Sequence, residues 1–570
     1  MSPTKATADD KMPADDDGDA DDGGSALPIP AIPSILILSS AILLRSLVGF
    51  HHHSGEGGHH GKDDAYGGDY EAQRHWMELT YHLPIGEWYS YDLTYWGLDY
   101  PPLTAYVSYV CGYLSDLLVG PETVALKDSR GYEDGLHKSF MRGTVLVLDV
   151  AIYFTAVWAI ARRTCPRDVV ERMWTVVLAL AQPAVILIDH GHFQYNTVSL
   201  GLALWSFHFA TLKSFRGCVI GSVLFCLSLN FKQMSLYYAP AVFAYLLGRC
   251  FAPPERAKTG GAGAAFIGRF CALGATVIFT FVALWVPFAL YSSPGVTAGE
   301  AVMQIVRRLF PFQRGLFEDK VSNLWCALSV KPLSIRRRIP LSIQPLLAMF
   351  GTLFLAMPSC VALFHYGRKT WDDKDVNGEN LRRLLWGAAA CALSFFLASF
   401  QVHEKSILMA VSPISMLMSD GPLFSAWFSL ASTWTLWPLL VIDRLQGAYF
   451  ACSAVVVALL ALYGRPAEEL EVCRQKGEWG LWDLGLGRRQ SGWMWFATIV
   501  TAVIMVALHA LETSVAAPES LPDLFPVLWS LIGCVMFCWS WLCCSGTLYE
   551  PLPLRSTQPG KDCAGKVKNE

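Results

Sequence analysis

Charge is scarce in this chain: Asp, Glu, Lys and Arg together make up 16% of the residues, where a soluble domain carries roughly a quarter. The shortfall falls in long apolar stretches, which is how membrane-spanning helices are written in a sequence. A basic excess is lacking too, with a formal net charge of −4. That value alone decides nothing, but no basic domain stands out, and no nucleic-acid partner is expected. Metal or disulfide spacing is absent among the 16 cysteines. Cys226, Cys391, Cys543 and Cys544 lie inside apolar segments, read as small packing residues, and leave the redox compartment open. A signal-peptide pattern is missing as well: residues 1–30 are acidic and too polar to build a core, so they are expected to be a disordered cytosolic tail.

What is present is a series of about fourteen apolar segments, some shorter than the roughly 17–25 residues of a full span. They cover residues 33–50, 141–161, 173–188, 197–212, 218–231, 235–248 and 270–291. They continue through 341–366, 384–400, 406–418, 423–442, 448–463, 493–511 and 524–544. The fold class expected is an all-α polytopic membrane protein with about 12–14 transmembrane helices.

Lys and Arg alternate along the connections, as the positive-inside rule requires. With a cytosolic amino terminus, the basic connections face the cytosol: Arg162–Arg172, Lys213–Arg216, Arg249–Arg269, Arg368–Arg383 and Arg465–Arg489. Connections 189–196, 401–405 and 512–523 are nearly free of them. The exception is 292–340, a connection long enough to escape the rule. The unusual polar strings then converge on one side, in connections 51–140, 189–196, 230–233, 292–340 and 401–405. The membrane domain is expected over 31–545, with 51–140 as its first lumenal loop and 546–570 as a cytosolic tail. Lys566 and Lys568 near the chain's end resemble a dilysine retrieval signal of endoplasmic-reticulum membrane proteins.

Six strings in those connections carry a family signature. The first two are Gly68-Asp69-Tyr70-Glu71-Ala72-Gln73-Arg74-His75-Trp76 and Trp96-Gly97-Leu98-Asp99-Tyr100-Pro101-Pro102. The others are Asp189-His190-Gly191-His192-Phe193-Gln194-Tyr195-Asn196, Asn230-Phe231-Lys232-Gln233-Met234, residues 308–326, and Gln401-Val402-His403-Glu404-Lys405-Ser406. Together they closely resemble the dolichyl-phosphate-glucose-dependent alpha-1,3-glucosyltransferases of asparagine-linked glycosylation, which belong to the GT-C class. The resemblance runs over about residues 33–544. It implies a GT-C architecture in the endoplasmic-reticulum membrane, with a lumenal active site and dolichyl phosphate glucose as donor. The acceptor it implies is a dolichyl-diphosphate oligosaccharide, and membrane lipid surrounds the protein. One branch adds the first glucose and another the second. Glu71–Trp76 and Trp96-Gly97 match the first-glucose branch.

Transfer from a beta-linked phosphate donor to an alpha linkage is an inversion, so one displacement and one base suffice. The base must deprotonate a sugar hydroxyl, and matching favours a carboxylate whose basicity its surroundings raise. The departing phosphate needs cationic or hydrogen-bonding groups, and both substrates must be held in line. From the residues alone, Asp69 reads first as a cap of the helix that follows it. The resemblance reverses that and makes Asp69 the base. Asp99, before Tyr-Pro-Pro, is both a turn residue and the rival base; it is assigned to positioning.

Ionisable residues at span ends are functional candidates, which covers His403, Glu404 and Lys405, although a lysine there also snorkels to headgroups. His190 and His192 read as substrate contacts or as satisfied histidines at a helix end. Arg314, with Glu318, Asp319 and Lys320, reads as phosphate site or as a salt-bridged loop. The resemblance extends substrate binding to Arg74, His75, Lys232 and Gln233. Trp76, Trp88, Tyr89, Tyr95, Trp96 and Tyr100 read as interfacial anchors, with sugar stacking open for one or two. The His-rich tract at 51–60 reads as an inserted, removable linker rather than a metal site. No cofactor or metal is expected. Oligomeric state is left open. A secondary transporter is the rival of another class; such folds repeat their halves, and no repeat is found. A non-catalytic scaffold would lack Asp69 or the 403–405 block, and both are present.

Overall fold

A peptide group in hydrocarbon finds no water, so a spanning segment must pair its own backbone and becomes a helix. The computed structural model describes residues 29–56, 67–166, 168–252, 262–310, 321–331, 333–340, 342–369, 378–463 and 491–550. Among them every regular element is a helix, with one isolated bridge between Gly86 and Ser292. Nine described helices, from Ala31–Gly49 to Leu524–Thr547, are long and apolar enough to cross a membrane. The remaining expected segments are shorter helices: Asn196–Ala210, Phe215–Phe231, Ala239–Phe251, Leu408–Ser415 and Pro422–Thr435. The protein is an all-α, multi-pass membrane protein. Residues 1–28 and 551–570, the latter with the dilysine pattern, and the block 311–320 with Arg314, Glu318, Asp319 and Lys320 lie outside the described residues.

The helices sort by what they face. In the most apolar stretch of Glu379–Ala398, 94% of the residues are buried, against 6% in Phe496–Ser514, so the first lies at the bundle's centre and the second on its outside. Packing between apolar helices in lipid favours small residues that let backbones close in. Gly248 and Gly367 do this where Ala239–Phe251 crosses Gln344–Lys369: a Cβ added at Gly248 would lie 2.3 Å from the Phe364 carbonyl, and one at Gly367 2.3 Å from that of Tyr245.

Polar pins fix the bundle at both ends. Basic side chains from different connections meet at one end and donate to carbonyls that helix termini leave unpaired. Arg163 donates to His208 O at 2.7 Å, Arg249 to Leu212 O at 2.7 Å and Arg383 to Glu550 O at 2.7 Å. Arg382 pairs with Asp420 at 2.6 Å. These are the connections that the Lys and Arg alternation groups on one side. Deeper in, Arg45 of the first span donates to Asp149 Oδ2 at 2.6 Å and to Leu180 O at 2.7 Å. His190 Nε2 meets the same Asp149 oxygen at 2.8 Å.

Two helices contain wider π turns, Asp149–Phe154 and Leu187–Phe193. Such turns are rare and gather at functional sites. The second ends on Phe193 at φ +85°, a region non-glycine residues seldom occupy, at a cost of about 1–3 kcal/mol. Packing holds it there: Phe193 is fully buried and its ring meets Tyr70 at 4.9 Å.

Candidate active site

Asp69 is the first residue of the Asp69–His82 helix, and Gly68 precedes it at φ +99°. Only glycine takes that conformation without strain, and space forbids a side chain as well, since a Cβ would lie 2.3 Å from Ser54 O. Ser54 grips this point from both sides. Its Oγ accepts from the Asp69 backbone N–H at 3.2 Å, and its own N–H donates to His192 O at 3.1 Å. His53 is buried and stacks on Tyr70 at 3.9 Å. Within the tract expected to be a linker, His53 and Ser54 are thus packed against the site, while His51 and His52 are exposed and His59 and His60 lie outside the described residues.

With its backbone held there, the Asp69 carboxylate caps nothing and turns instead to three donors. Lys405 Nζ lies 2.5 Å from Oδ2, His192 Nε2 lies 2.8 Å away, and Gln194 Nε2 donates to the same oxygen. The π turn delivers His192 and Gln194. Lys405 comes from the short Glu404–Ile407 turn. Burial by itself pushes the Asp69 carboxyl up, but the charges and hydrogen bonds of Lys405 and His192 outweigh it and hold the group well below the usual carboxylate range. The basicity is thus lowered, not raised as matching had suggested. Lys405 shifts the opposite way: burial opposes its charge, and Asp69 more than restores it.

Behind His192 stands Asp443, in the turn after Trp437–Ile442; its Oδ2 lies 2.5 Å from His192 Nδ1. Lys232 completes the polar floor, donating to Gln194 Oε1 at 2.7 Å and Asn196 Oδ1 at 2.5 Å. Asn196 in turn donates to Asp189 at 2.7 Å. Burial, then the like charge of Lys405, bring Lys232 down to about 7.

Asp69, Gln194, Lys232 and Lys405 open onto a cavity of about 550 Å³, with His192 and Asp443 behind its wall. Its walls include Asp69, Gln73, Trp76, Trp96, Asp99, Tyr100, Lys232, Gln233, Arg308, His403 and Lys405. Arg308 ties the wall together, donating to Gly97 O at 2.7 Å and Leu98 O at 3.2 Å. Gln233 reaches Asp99 O at 3.4 Å. Gln233, Leu236, Leu309 and Phe310 also line a second space of about 530 Å³ whose other walls include Phe281, Val282, Trp285 and Val286. A chamber with charged groups in its wall therefore shares residues with an apolar groove along the Ala262–Leu290 helix.

Several expected contacts lie elsewhere. Arg74 does not reach the cavity. It is fully buried, because glutamates three residues before and four after it fall on the same helix face; it pairs with Glu71 at 2.6 Å and Glu78 at 2.8 Å. His75 is also fully buried, with Nδ1 3.2 Å from Glu78. His190 serves the Asp149 pair instead of the chamber, and Glu404 is not among the cavity's walls. Gln194, Arg308 and Asp443 were not singled out from the sequence. Gln194 sits inside a recognised string, and Arg308 opens another. Asp443 is an acid in a short connection on the motif-bearing side.

Residues 41–544 match the family described as the ALG6, ALG8 glycosyltransferase family. The dolichyl pyrophosphate Man9GlcNAc2 alpha-1,3-glucosyltransferase of Gallus gallus is 39% identical over 492 residues, covering 84% of this chain and 89% of that protein. Its namesake in Mus musculus is 39% identical over 481 residues, 82% of this chain and 88% of that protein. The Saccharomyces cerevisiae protein of the same name is 34% identical over 526 residues, 90% of each.

Proposed function

The chain belongs to the ALG6, ALG8 glycosyltransferase family, and from that premise we propose that it transfers the first glucose, in alpha-1,3 linkage, from dolichyl phosphate glucose to the nine-mannose dolichyl-diphosphate oligosaccharide. The observation that carries this reading is the wall shared by two spaces. A carboxylate with two lysines faces a chamber that suits a sugar and its phosphate. The apolar groove sharing Gln233, Leu236, Leu309 and Phe310 suits the polyprenyl chain of the same donor. The acceptor assignment is supported by Glu71–Trp76 and Trp96-Gly97 and by the names of the relatives.

The chemistry balances on these residues. The acceptor hydroxyl oxygen bonds to the anomeric carbon as the bond from that carbon to the phosphate oxygen breaks, and the electron pair leaves with the phosphate. The hydroxyl proton passes to Asp69. The departing group gains one negative charge as Asp69 loses one. Lys405, already against Asp69, is released from its counter-ion as the phosphate needs one. A strongly basic carboxylate is unnecessary if the hydroxyl becomes acidic late, as its bond to carbon forms. Lys232, Lys405 and Arg308 supply the stabilising charge, so no metal is included in the proposal. The chamber is proposed to face the lumen of the endoplasmic reticulum.

The deciding experiment is transfer by purified protein to two acceptors, one without glucose and one already carrying a single glucose. Preference for the first supports the assignment. Preference for the second moves the chain to the second-glucose branch.

A further inference from the structure

We infer that Asp443 is a positioning residue for the transfer, acting through His192 to keep a positive charge against Asp69 and so to fix the proton state of the base. This rests on the reading of Asp69 as that base. Asp443 is 2% exposed and not among the cavity's walls, so any influence on the reaction must pass through a neighbour. That neighbour is His192, whose Nδ1 lies 2.5 Å from Asp443 Oδ2 and whose Nε2 lies 2.8 Å from Asp69 Oδ2. Two ionised carboxylates only accept hydrogen bonds, and a neutral imidazole has one N–H. Lys405 Nζ also lies 3.1 Å from Nε2, but it is held closer to Asp69, at 2.5 Å, and a bare Nε2 lone pair would face the ionised Asp69 oxygen. Both carboxylate contacts are satisfied together by the doubly protonated ring. Asp69, Asp443, His192 and Lys405 then form a group of two negative and two positive charges.

The placement is fixed from outside as well. Asp443 sits in a turn seated directly on the π turn: a Cβ added at Gly191 would meet Leu445 at 2.9 Å. Arg142 donates to the carbonyls of His190, at 2.5 Å, and Gly191, at 3.0 Å. The other charged groups nearby are engaged elsewhere. His190 and Arg45 share Asp149, Lys232 is held by Gln194 and Asn196, and Glu404 acts electrostatically on Lys405. An uncharged amide at 443 would accept from Nδ1–H and leave the Nε2 lone pair facing Asp69. That arrangement favours the protonated carboxyl, so the base ionises at higher pH.

The test uses full-length protein carrying Asp443→Asn, Asp443→Glu or His192→Gln, each checked for folding by elution and thermal unfolding. The reading is the pH dependence of kcat and kcat/KM with dolichyl phosphate glucose and the lipid-linked oligosaccharide. Asp443→Asn and His192→Gln are expected to move the acid limb upward by about one pH unit or more and to lower neutral-pH kcat by about tenfold or more, with donor KM changed less than about threefold. Asp443→Glu keeps the limb in place. Folded Asp443→Asn with an unmoved limb overturns the inference. If that variant does not fold, an unmoved limb in His192→Gln overturns it equally. Asp69→Asn runs alongside: turnover retained there refutes the base assignment itself, whatever Asp443→Asn does.

Discussion

Lys405 Nζ lies 2.5 Å from Asp69 Oδ2, so the residue proposed as base and the cation proposed for the phosphate are one ion pair across 336 positions of sequence. Substituting Lys405 therefore disturbs the base and the phosphate site together. Because Lys405 helps hold Asp69 well below its usual range, the base is ionised at neutral pH and its activity falls only as pH drops through that lowered value. Lys405→Met should raise the Asp69 pKa and move the acid limb of kcat/KM upward, besides weakening donor use. Lys405→Arg should restore part of both. A pH–rate series checks this, and a rise in donor KM with the limb unmoved would contradict it.

Arg74 is expected to matter for stability rather than for donor binding. Arg74→Ala leaves Glu71 and Glu78 buried without their counter-ion, a change that costs about 3–5 kcal/mol. Thermal unfolding of the purified variant should show the loss, with donor KM unchanged in whatever folds.

The same cluster sets an acid limit. Burial pushes Glu78 up, but the hydrogen bond from His75 and the charge of Arg74 outweigh it and bring the group from 4.5 down to about 2. A depressed carboxylate contributes stability above its unfolded value and loses it as pH falls through the folded one. Unfolding temperature should therefore decline between about pH 4.5 and pH 2, and Glu78→Gln should flatten part of that decline.

Ser54 and Gly68 give the most direct check on the His-rich segment. Gly68→Ala forces a side chain into Ser54 O and should reduce turnover by about two orders of magnitude or more, the scale of losing a positioned base. Ser54→Ala removes one hydrogen bond to the Asp69 backbone and should cost less. Removing residues 51–56 should abolish activity; retained activity would return the tract to linker status.

Transfer should survive chelation of divalent metal, because Lys232, Lys405 and Arg308 are proposed to carry the phosphate charge. Loss of activity with chelator, restored by added metal, would show that the charge balance proposed here is incomplete.

Nine of the fourteen apolar segments were legible as spans because a span announces itself by length and composition, which the membrane enforces; the other five form shorter helices among the described residues. The motif strings pointed to Asp69, Lys232, Gln233, His192 and Lys405; four of these line one chamber, and His192 stands behind Asp69. Arg74 and His75 were misread because membership in a string does not tell which helix face a residue takes. Their i,i+3 and i,i+4 relation to Glu71 and Glu78 holds that information. Asp443 was illegible because its role depends on a turn docking against a π turn, and a π turn leaves no periodicity to read. The lowered basicity of Asp69 was hidden for the same reason. It arises from a lysine brought in by the tertiary fold.

Asp69→Asn tests the central claim most directly, measured for turnover and for binding of dolichyl phosphate glucose on the same purified sample. The amide keeps the size and loses the base, so turnover should fall by at least about two orders of magnitude while donor affinity stays within a few-fold. Near-normal turnover in Asp69→Asn, with Asp99→Asn inactive, would contradict the account and place the base at Asp99.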